Sequence, residues 1–368
     1  GATGAFLSDN IISFFAFHEL ALIPTFVMIG LYGRGDRRTT AWRATLYLGL
    51  ASMVLLAALL MIGTQAGFTF SGLKDFMAGG RELAHAELIG ALLIAGFGTL
   101  ISLFPFHSWA APAYASAPAP VAMMHAGVLK KFGLYGLFMF QPLMETGFLP
   151  WTNILLVLLV CNVIWVGYVT VNQKRLDLLL GNSSVMHMGY IFLAFAALVA
   201  SGSAEANPWA LKGAALLMLA HGLTIALLFL LCGQIEKQTG TLEINSLGGL
   251  STRLPRMAFV FGLAGMASIG LPGLANFPGE FMVFFSGFAG FTNGFGPVQI
   301  ATILCLWGLV IGAVYMLRAY RNIFQGDLSK AAAYATELLP SERAANYFLT
   351  ITLAVFGFFP TLVLQFFS

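Results

Sequence analysis

Ten apolar runs, each long enough to cross a lipid bilayer, constrain the fold of this chain more than any other feature. A membrane-spanning helix needs about 20 mostly apolar residues. The runs lie near residues 11–33, 42–64, 87–104, 117–141, 151–172, 178–200, 208–235, 257–290, 297–320 and 345–367. Inside lipid, the backbone polar groups of a spanning segment must be satisfied within the protein, and a helix does this unaided. The sequence therefore predicts an all-α, polytopic transmembrane helix bundle of about ten spans.

The composition agrees with a membrane-embedded chain. Of the 368 residues, 59% are hydrophobic and only 9% are charged, whereas a soluble domain carries about 25% charged residues. The net charge of +3 is too small to indicate nucleic acid as a partner. The sequence has no Cys/His cluster, phosphate loop or nucleotide fingerprint. We therefore expect the lipid bilayer as surroundings, and no metal, redox or hydrolytic site in this chain.

The basic residues orient the predicted bundle. Cytoplasmic connections of a membrane protein carry an excess of lysine and arginine. If the connection after the first run is cytoplasmic, the connections on that side hold 13 of the 18 lysines and arginines. The pattern fits ten crossings with the N-terminus outside.

Two of the runs contain helix-breaking residues. Phe104-Pro105-Phe106-His107-Ser108-Trp109 follows the third run, and the eighth contains Gly270-Leu271-Pro272-Gly273 and then Pro278-Gly279-Glu280. Proline removes a backbone donor and interrupts a helix. A broken helix at membrane depth is tolerated only where protein or a water-filled cavity satisfies the freed groups. We predict two broken helices with a functional site at the breaks; ordinary proline kinks are the alternative.

The spacing of the two breaks, five crossings apart, indicates an internal repeat within one membrane domain. We predict a single domain over residues 1–368, with a first half-channel repeat at about 1–141 and a second at about 151–320. A C-terminal helix follows at about 343–368.

Away from the ends of the apolar runs, four charged residues lie deep inside a run or at a break: Glu19, Lys130, Lys131 and Glu280. A charge within the membrane costs about 2.5–3.5 kcal/mol even on the insertion scale, so functional roles are favoured over structural ion pairs. Lys130 and Lys131 point about 100° apart on a helix, so we expect only one of them to face the interior.

Three histidines in the runs complete the candidate site: His125, His187 and His221. A lone histidine in an apolar helix is usually a core residue, but three beside two acids and a lysine are compatible with a proton relay. Burial raises the pKa of a carboxylic acid and lowers that of a lysine, and a nearby opposite charge reverses both shifts. Such residues, connected by water, form a proton wire. His18 and His107 are weaker candidates.

Several stretches resemble one known family in order along the chain. They are Phe17-His18-Glu19-Leu20, Phe104-Pro105-Phe106-His107-Ser108-Trp109, Ser184-Val185-Met186-His187-Met188-Gly189, Ala220-His221-Gly222-Leu223 and Asn276-Phe277-Pro278-Gly279-Glu280. The sequence resembles the antiporter-like, proton-translocating membrane subunits of complex I, the family of bacterial NADH:quinone oxidoreductase subunit M and of Mrp-type antiporters. The ten runs resemble the fifth to fourteenth helices of that family, so its first four helices are expected to be missing here.

The resemblance implies roles for individual residues. Glu19 matches the glutamate of the family's fifth helix, Lys131 the lysine of the eighth, His187 and His221 the histidines of the central axis, and Glu280 the acid of the broken twelfth helix. It also implies a subunit of a bacterial inner-membrane complex that translocates protons while electrons move elsewhere. NADH, flavin, iron–sulfur clusters and quinone are then expected on partner subunits, with no cofactor in this chain.

One position departs from the family pattern. Leu100 stands where the family has a lysine that pairs with the fifth-helix glutamate, and Ser102 replaces a proline. The resemblance then implies that Glu19 lacks its partner and that the half-channel near the first break is altered. Three alternatives stay open: a multisubunit cation/proton antiporter subunit, an energy-converting hydrogenase subunit, or a non-pumping structural membrane subunit.

Overall fold

The computed structural model describes residues 1–289 and 294–367, and within these ranges the chain is helical without a β-strand. The helices are α1 (Ala2–Leu7), α2 (Ile11–Tyr32), α3 (Arg37–Ala66), α4 (Phe70–Ala78), α5 (Ala86–Ile101), α6 (Ala110–Ser116), α7 (Ala119–Met124), α8 (Lys131–Met139), α9 (Thr152–Val171), α10 (Leu176–Ser201), α11 (Pro208–Thr239), α12 (Pro255–Ser268), α13 (Asn276–Ser286), α14 (Pro297–Phe324), α15 (Pro340–Phe358) and α16 (Thr361–Leu364). The prediction of an all-α fold is confirmed. Gly290 and Ser368, which end the predicted eighth run and the C-terminal segment, lie outside the described residues.

Most of the predicted runs coincide with long helices. Among the described residues, six helical segments are long and apolar enough to cross a membrane: Ile11–Tyr32, Arg37–Ala66, Gln141–Val171, Leu176–Ser201, Pro208–Thr239 and Pro297–Phe324. The segment that begins at Gln141 opens with short 3₁₀ and π turns before α9. α5 is shorter, and the predicted eighth run is divided between α12 and α13. The count of ten crossings stays a prediction.

α10 is the central helix of the bundle. It is apolar around its circumference, as a helix enclosed by other helices is, and nearly all of its side chains are buried. It packs against α9, α11, α14, α6 and α13. Small residues allow the close approach, since a side chain at Gly181 would meet the backbone of Ala111 in α6. This packing places the middle of α10 next to both broken helices.

The helix ends meet as alternating crossings require. The end of α2 and the end of α11 lie together because Arg34 forms an ion pair with Glu236. At the opposite end of α2, the Ile11 amide donates to the Phe68 carbonyl at the end of α3. α15 begins beside the end of α11, where the Lys237 Nζ lies 2.6 Å from a Glu342 oxygen. The hydrogen bond that the Glu342 carboxyl group accepts from the Lys237 ammonium lowers the pKa of Glu342.

The first break follows Ile101, the last residue of α5. Ser102 has φ 67, in the left-handed region. The freed backbone is satisfied by a buried asparagine of α9: Asn162 Nδ2 donates to the Ser102 carbonyl at 3.2 Å, and Asn162 Oδ1 accepts from the Phe104 amide at 2.5 Å. The Trp109 indole donates to the Thr99 carbonyl at 3.0 Å. Protein groups therefore close this break.

The second break separates α12, which ends at Ser268, from α13, which begins at Asn276. Gly270 and Gly273 have φ of 77° and 92°, a conformation that side-chain-bearing residues rarely adopt. The glycines thus allow the chain to turn out of the helix here. The prediction of two broken helices is confirmed.

Candidate functional site

Lys131 opens the candidate site at the start of α8. Its side chain is buried, and its Nζ donates to the Ala126 carbonyl at 2.6 Å. That carbonyl lies in a π-helical turn, His125–Leu129, which joins α7 to α8; π turns inside α-helices are frequent at functional sites. The Lys131 Nζ also lies 2.9 Å from Nδ1 of His221 on α11. The structure therefore brings the predicted lysine and one predicted histidine into direct contact.

Lys130 is buried as well, so the expectation that only one of the two lysines faces the interior is wrong. Its Nζ lies 3.4 Å from the Ser184 carbonyl of α10 and 5.6 Å from the centre of the Tyr114 ring. The two side chains diverge along the helix, as predicted, but this helix is enclosed on both sides. Lys130 faces α10, whereas Lys131 faces α11.

His187 connects the central helix to the second break. Its Nδ1 lies 2.7 Å from the Ser183 carbonyl, and its Nε2 lies 2.9 Å from the carbonyl of Ser268, the last residue of α12. A carbonyl oxygen only accepts hydrogen bonds, and only the doubly protonated imidazolium has two N–H donors. The site thus holds an acceptor for each proton of a charged His187. The His187 and His221 ring centres are 5.5 Å apart.

Glu280 lies on the other side of the same break. It is 3% exposed, and one carboxyl oxygen packs directly against Gly270. Within the described part of the chain, the other oxygen, Oε1, has no hydrogen-bond partner. A cavity of about 350 Å³ reaches the carboxyl group, with aromatic walls that include Phe281 and Phe284. An acid buried this way, without a fixed partner, is chemically poised to gain and lose a proton.

Glu19 forms a separate centre on α2 and is not without partners, contrary to the expectation. Its Oε1 accepts from the Ser52 hydroxyl at 2.5 Å and lies 3.1 Å from Nδ1 of His18. Its side chain is 31% exposed. Leu100, at the position where the resemblance implies a lysine, is buried in the apolar core. Polar neighbours on α2 and α3 therefore take the place of the absent cation.

His125 lies between these two centres. It is buried in the π-helical turn, and it lines a cavity of about 120 Å³ together with Glu19. Its ring packs against Trp109 and Tyr114, with ring centres 5.6 and 5.3 Å apart, respectively. His125 Nδ1 has no partner among the described residues. The cavity connects Glu19 to the helix that carries the two lysines.

The seven predicted residues thus fall into two groups. Lys131, His221 and His187 form a continuous line that ends at the second break, opposite Glu280. Lys130, His125 and Glu19 lie towards the first break. Sequence reasoning missed Asn162 and the buried tyrosines near the second break. An asparagine or tyrosine inside an apolar run carries little signal, because its partners are far away in sequence.

Comparison with known proteins identifies the family. Residues 8–336 match the family described as NADH:quinone oxidoreductase/Mrp antiporter, transmembrane. The chain belongs to this family. The resemblance predicted from the sequence is therefore confirmed.

The relatives of this family member include subunits of quinone oxidoreductases. It is 32% identical over 371 residues to NAD(P)H-quinone oxidoreductase chain 4 1 of Synechococcus sp. (strain JA-2-3B'a(2-13)), covering 98% of this chain and 68% of the relative. It is 29% identical to NADH-quinone oxidoreductase subunit M of Rickettsia felis, covering 99% and 71%, respectively. The chain spans about two thirds of the length of these relatives.

The fold matches a solved structure as well. A chain of respiratory complex I from Thermus thermophilus with bound NADH superposes with a TM-score of 0.88 at 26% identity, over 99% of this chain and 74% of that one. Within the described residues, no group of three or more histidine, cysteine, aspartate or glutamate side chains is arranged to hold a metal ion.

Proposed function

We propose that this chain is a proton-translocating membrane-arm subunit of a complex I-like NADH:quinone oxidoreductase in a bacterial inner membrane. Its family, its curated relatives and the complex I chain that it superposes on support this function. NADH, flavin, iron–sulfur clusters and quinone then reside on partner membrane and redox subunits. The single observation that carries the proposal is the buried line from Lys131 through His221 to His187, which ends opposite Glu280.

The geometry supports a stepwise proton transfer. At 2.9 Å, Lys131 Nζ and His221 Nδ1 share a hydrogen bond along which a proton can move. The two imidazole centres are 5.5 Å apart, which places the rings next to each other along the proposed path. His187 holds the added proton between two carbonyl acceptors, and Glu280 receives it across the break. A change in a neighbouring charge alters the proton affinity of each buried group, which couples the transfers to events elsewhere in the complex.

The family description also covers Mrp antiporters, so a second function is compatible with the family. The same buried residues fit a subunit of a cation/proton antiporter or of an energy-converting hydrogenase. A non-pumping structural role is the third reading, because Leu100 stands where the resemblance implies a lysine. Partner subunits distinguish the first two readings, and variants at the buried residues test the third.

The test begins with purification of the native complex in mild detergent and identification of its subunits. The complex is then reconstituted in vesicles, and protons taken up per electron transferred are compared for wild type, Lys131→Ala and the exposed control Lys74→Ala. We expect co-purifying redox subunits and a lower ratio in Lys131→Ala alone. Antiporter partners without redox subunits, or an unchanged ratio in Lys131→Ala, would contradict the proposal.

A further inference from the structure

A buried tyrosine packs against His187 on the central helix, near the second break. Tyr190 lies one turn after His187 on α10 and is fully buried. The two rings meet edge to face, with ring centres 5.5 Å apart at 81°. The tyrosine is therefore the next residue along α10 beyond the end of the Lys131–His221–His187 line.

The other side of Tyr190 faces α13. Its ring centre lies 5.2 Å from that of Phe284, which is one turn after Glu280 on α13. Tyr190 is also close enough to Glu280 to interact with it electrostatically. Tyr190 thus packs against His187 on one side and against Phe284, a neighbour of Glu280 on α13, on the other.

Two oxygens at this place have no hydrogen-bond partner among the described residues: the Tyr190 hydroxyl and Glu280 Oε1. A buried polar atom without a partner is unfavourable, and buried water commonly satisfies such atoms. The cavity of about 350 Å³ that reaches Glu280 is lined by Phe284, the residue that packs on Tyr190. The Glu280 carboxyl group thus borders an open space beside Phe284.

We propose that the Tyr190 hydroxyl is the proton-carrying link between His187 and Glu280, bridged to Glu280 by water held between the two partnerless oxygens. This inference rests on the proposed function. A phenol donates one hydrogen bond and accepts others. Its own proton therefore passes towards the Glu280 carboxylate while the His187 proton arrives at the phenol oxygen through water. His187 ends neutral, Glu280 ends protonated, and Tyr190 is unchanged.

A second buried tyrosine provides a matched control. The Tyr315 hydroxyl on α14 lies 2.7 Å from the Ser183 hydroxyl, which is 3.5 Å from His187 Nδ1. Tyr315 is also within electrostatic range of Glu280. Because its hydroxyl already has a partner, we assign Tyr315 to holding α14 against α10. Removal of this hydroxyl also takes one phenol oxygen out of the buried bundle, but it does not remove the proposed link.

The experiment uses the reconstituted native complex with three variants: Tyr190→Phe, Tyr315→Phe and Glu280→Gln. The first measurement is protons taken up per electron, with electron transfer recorded in the same vesicles. We expect Tyr190→Phe to lower the ratio as much as Glu280→Gln does, and Tyr315→Phe to cause less than half of that loss. Tyr190→Phe keeps the ring and removes an oxygen that has no protein partner, so assembly is expected to be retained.

Infrared spectroscopy of the purified complex measures hydrogen bonding to Glu280, which a change in packing alone would not alter. The carbonyl stretch of protonated Glu280 is identified as the band lost in Glu280→Gln. Loss of the water bridge weakens hydrogen bonding to this carboxyl group. We therefore expect Tyr190→Phe to move the band to higher wavenumber and Tyr315→Phe to leave it in place.

The outcomes separate the inference from the proposed function. A lower ratio in Glu280→Gln with a wild-type ratio and an unmoved band in Tyr190→Phe overturns the role of Tyr190 alone. A larger loss in Tyr315→Phe than in Tyr190→Phe overturns it too, because the link then runs through α14. Wild-type ratios in both Glu280→Gln and Tyr190→Phe reject the proton path at this break, and with it the proposed function.

Discussion

At the first break, between α5 and α6, the freed backbone is closed by the amide of Asn162, and the position of the family's lysine is filled by the buried Leu100. At the second break, between α12 and α13, Glu280 is buried with an unsatisfied oxygen, and His187 holds the carbonyl of Ser268. Both helices are interrupted, but among the described residues only the second break has a buried carboxyl group packed directly against its turn. Under the proposed function, a broken helix supplies free backbone and space, and the titratable residues beside it decide whether the break takes part in proton transfer.

The largest expected effect comes from the group that closes the first break. Asn162→Leu leaves the Phe104 amide and the Ser102 carbonyl without partners in a dry interior. Each such loss costs about 1–3 kcal/mol, so we expect little assembled complex. The control Asn172→Ala removes one local hydrogen bond to the Tyr168 carbonyl near the end of α9, and we expect the yield and stability of the complex to stay at the wild-type level.

Yield and thermal inactivation of the purified complex measure this effect. The comparison of the two breaks also predicts that the few assembled Asn162→Leu complexes keep a normal proton-to-electron ratio. A stable complex with a lowered ratio would show instead that the first break takes part in proton transfer.

An intermediate effect is expected at the second break from Gly270→Ala. The new methyl group meets the Glu280 carboxyl group and forces a side chain into a left-handed conformation at φ 77. The backbone cost alone is about 1–2 kcal/mol. Gly240→Ala is the matched control, because Gly240 has φ 72 with no neighbour within 4 Å of an added Cβ.

Both glycine variants should lose similar thermal stability, whereas only Gly270→Ala should lower the proton-to-electron ratio, because only there is the carboxyl group displaced. Equal ratios in the two variants would mean that the position of the Glu280 carboxyl does not matter for transport.

The smallest effect is expected from Leu100→Met. An exchange of two apolar residues of similar volume in a packed core usually costs less than about 1.5 kcal/mol. Since Leu100 carries no proton, the ratio should stay at the wild-type value while thermal stability falls slightly. A clear loss of proton uptake in this variant would show that the first break is sensitive in a way that its apolar packing does not explain.

The sequence predicts the helices and both breaks because these features are local. Apolar length gives the spanning helices, and Pro105, Gly270 and Pro272 mark where they stop. The sequence also predicts the burial of Lys131 and Glu280, since a charge inside an apolar run needs a protein environment. The sequence does not predict that Lys130 is buried as well as Lys131, because a helix enclosed on two sides has no apolar stripe that shows its orientation.

Contacts between distant residues are the part that the sequence does not reveal. Asn162 lies about sixty residues from the backbone that it satisfies, and Tyr190 packs on Phe284 only because α10 and α13 lie together. The polar partners of Glu19 have the same origin, because Ser52 belongs to the neighbouring helix α3. Each depends on which helices are adjacent in space, which composition and periodicity do not specify.

The measurement that tests the central claim most directly compares the two acids in one preparation. Glu280→Gln and Glu19→Gln are each reconstituted with the complete complex, and protons taken up per electron are recorded at equal rates of electron transfer. The account predicts a clear loss of the ratio in Glu280→Gln and a smaller loss in Glu19→Gln. An equal or larger loss in Glu19→Gln, with Glu280→Gln near wild type, would contradict it and place proton transfer at the first break.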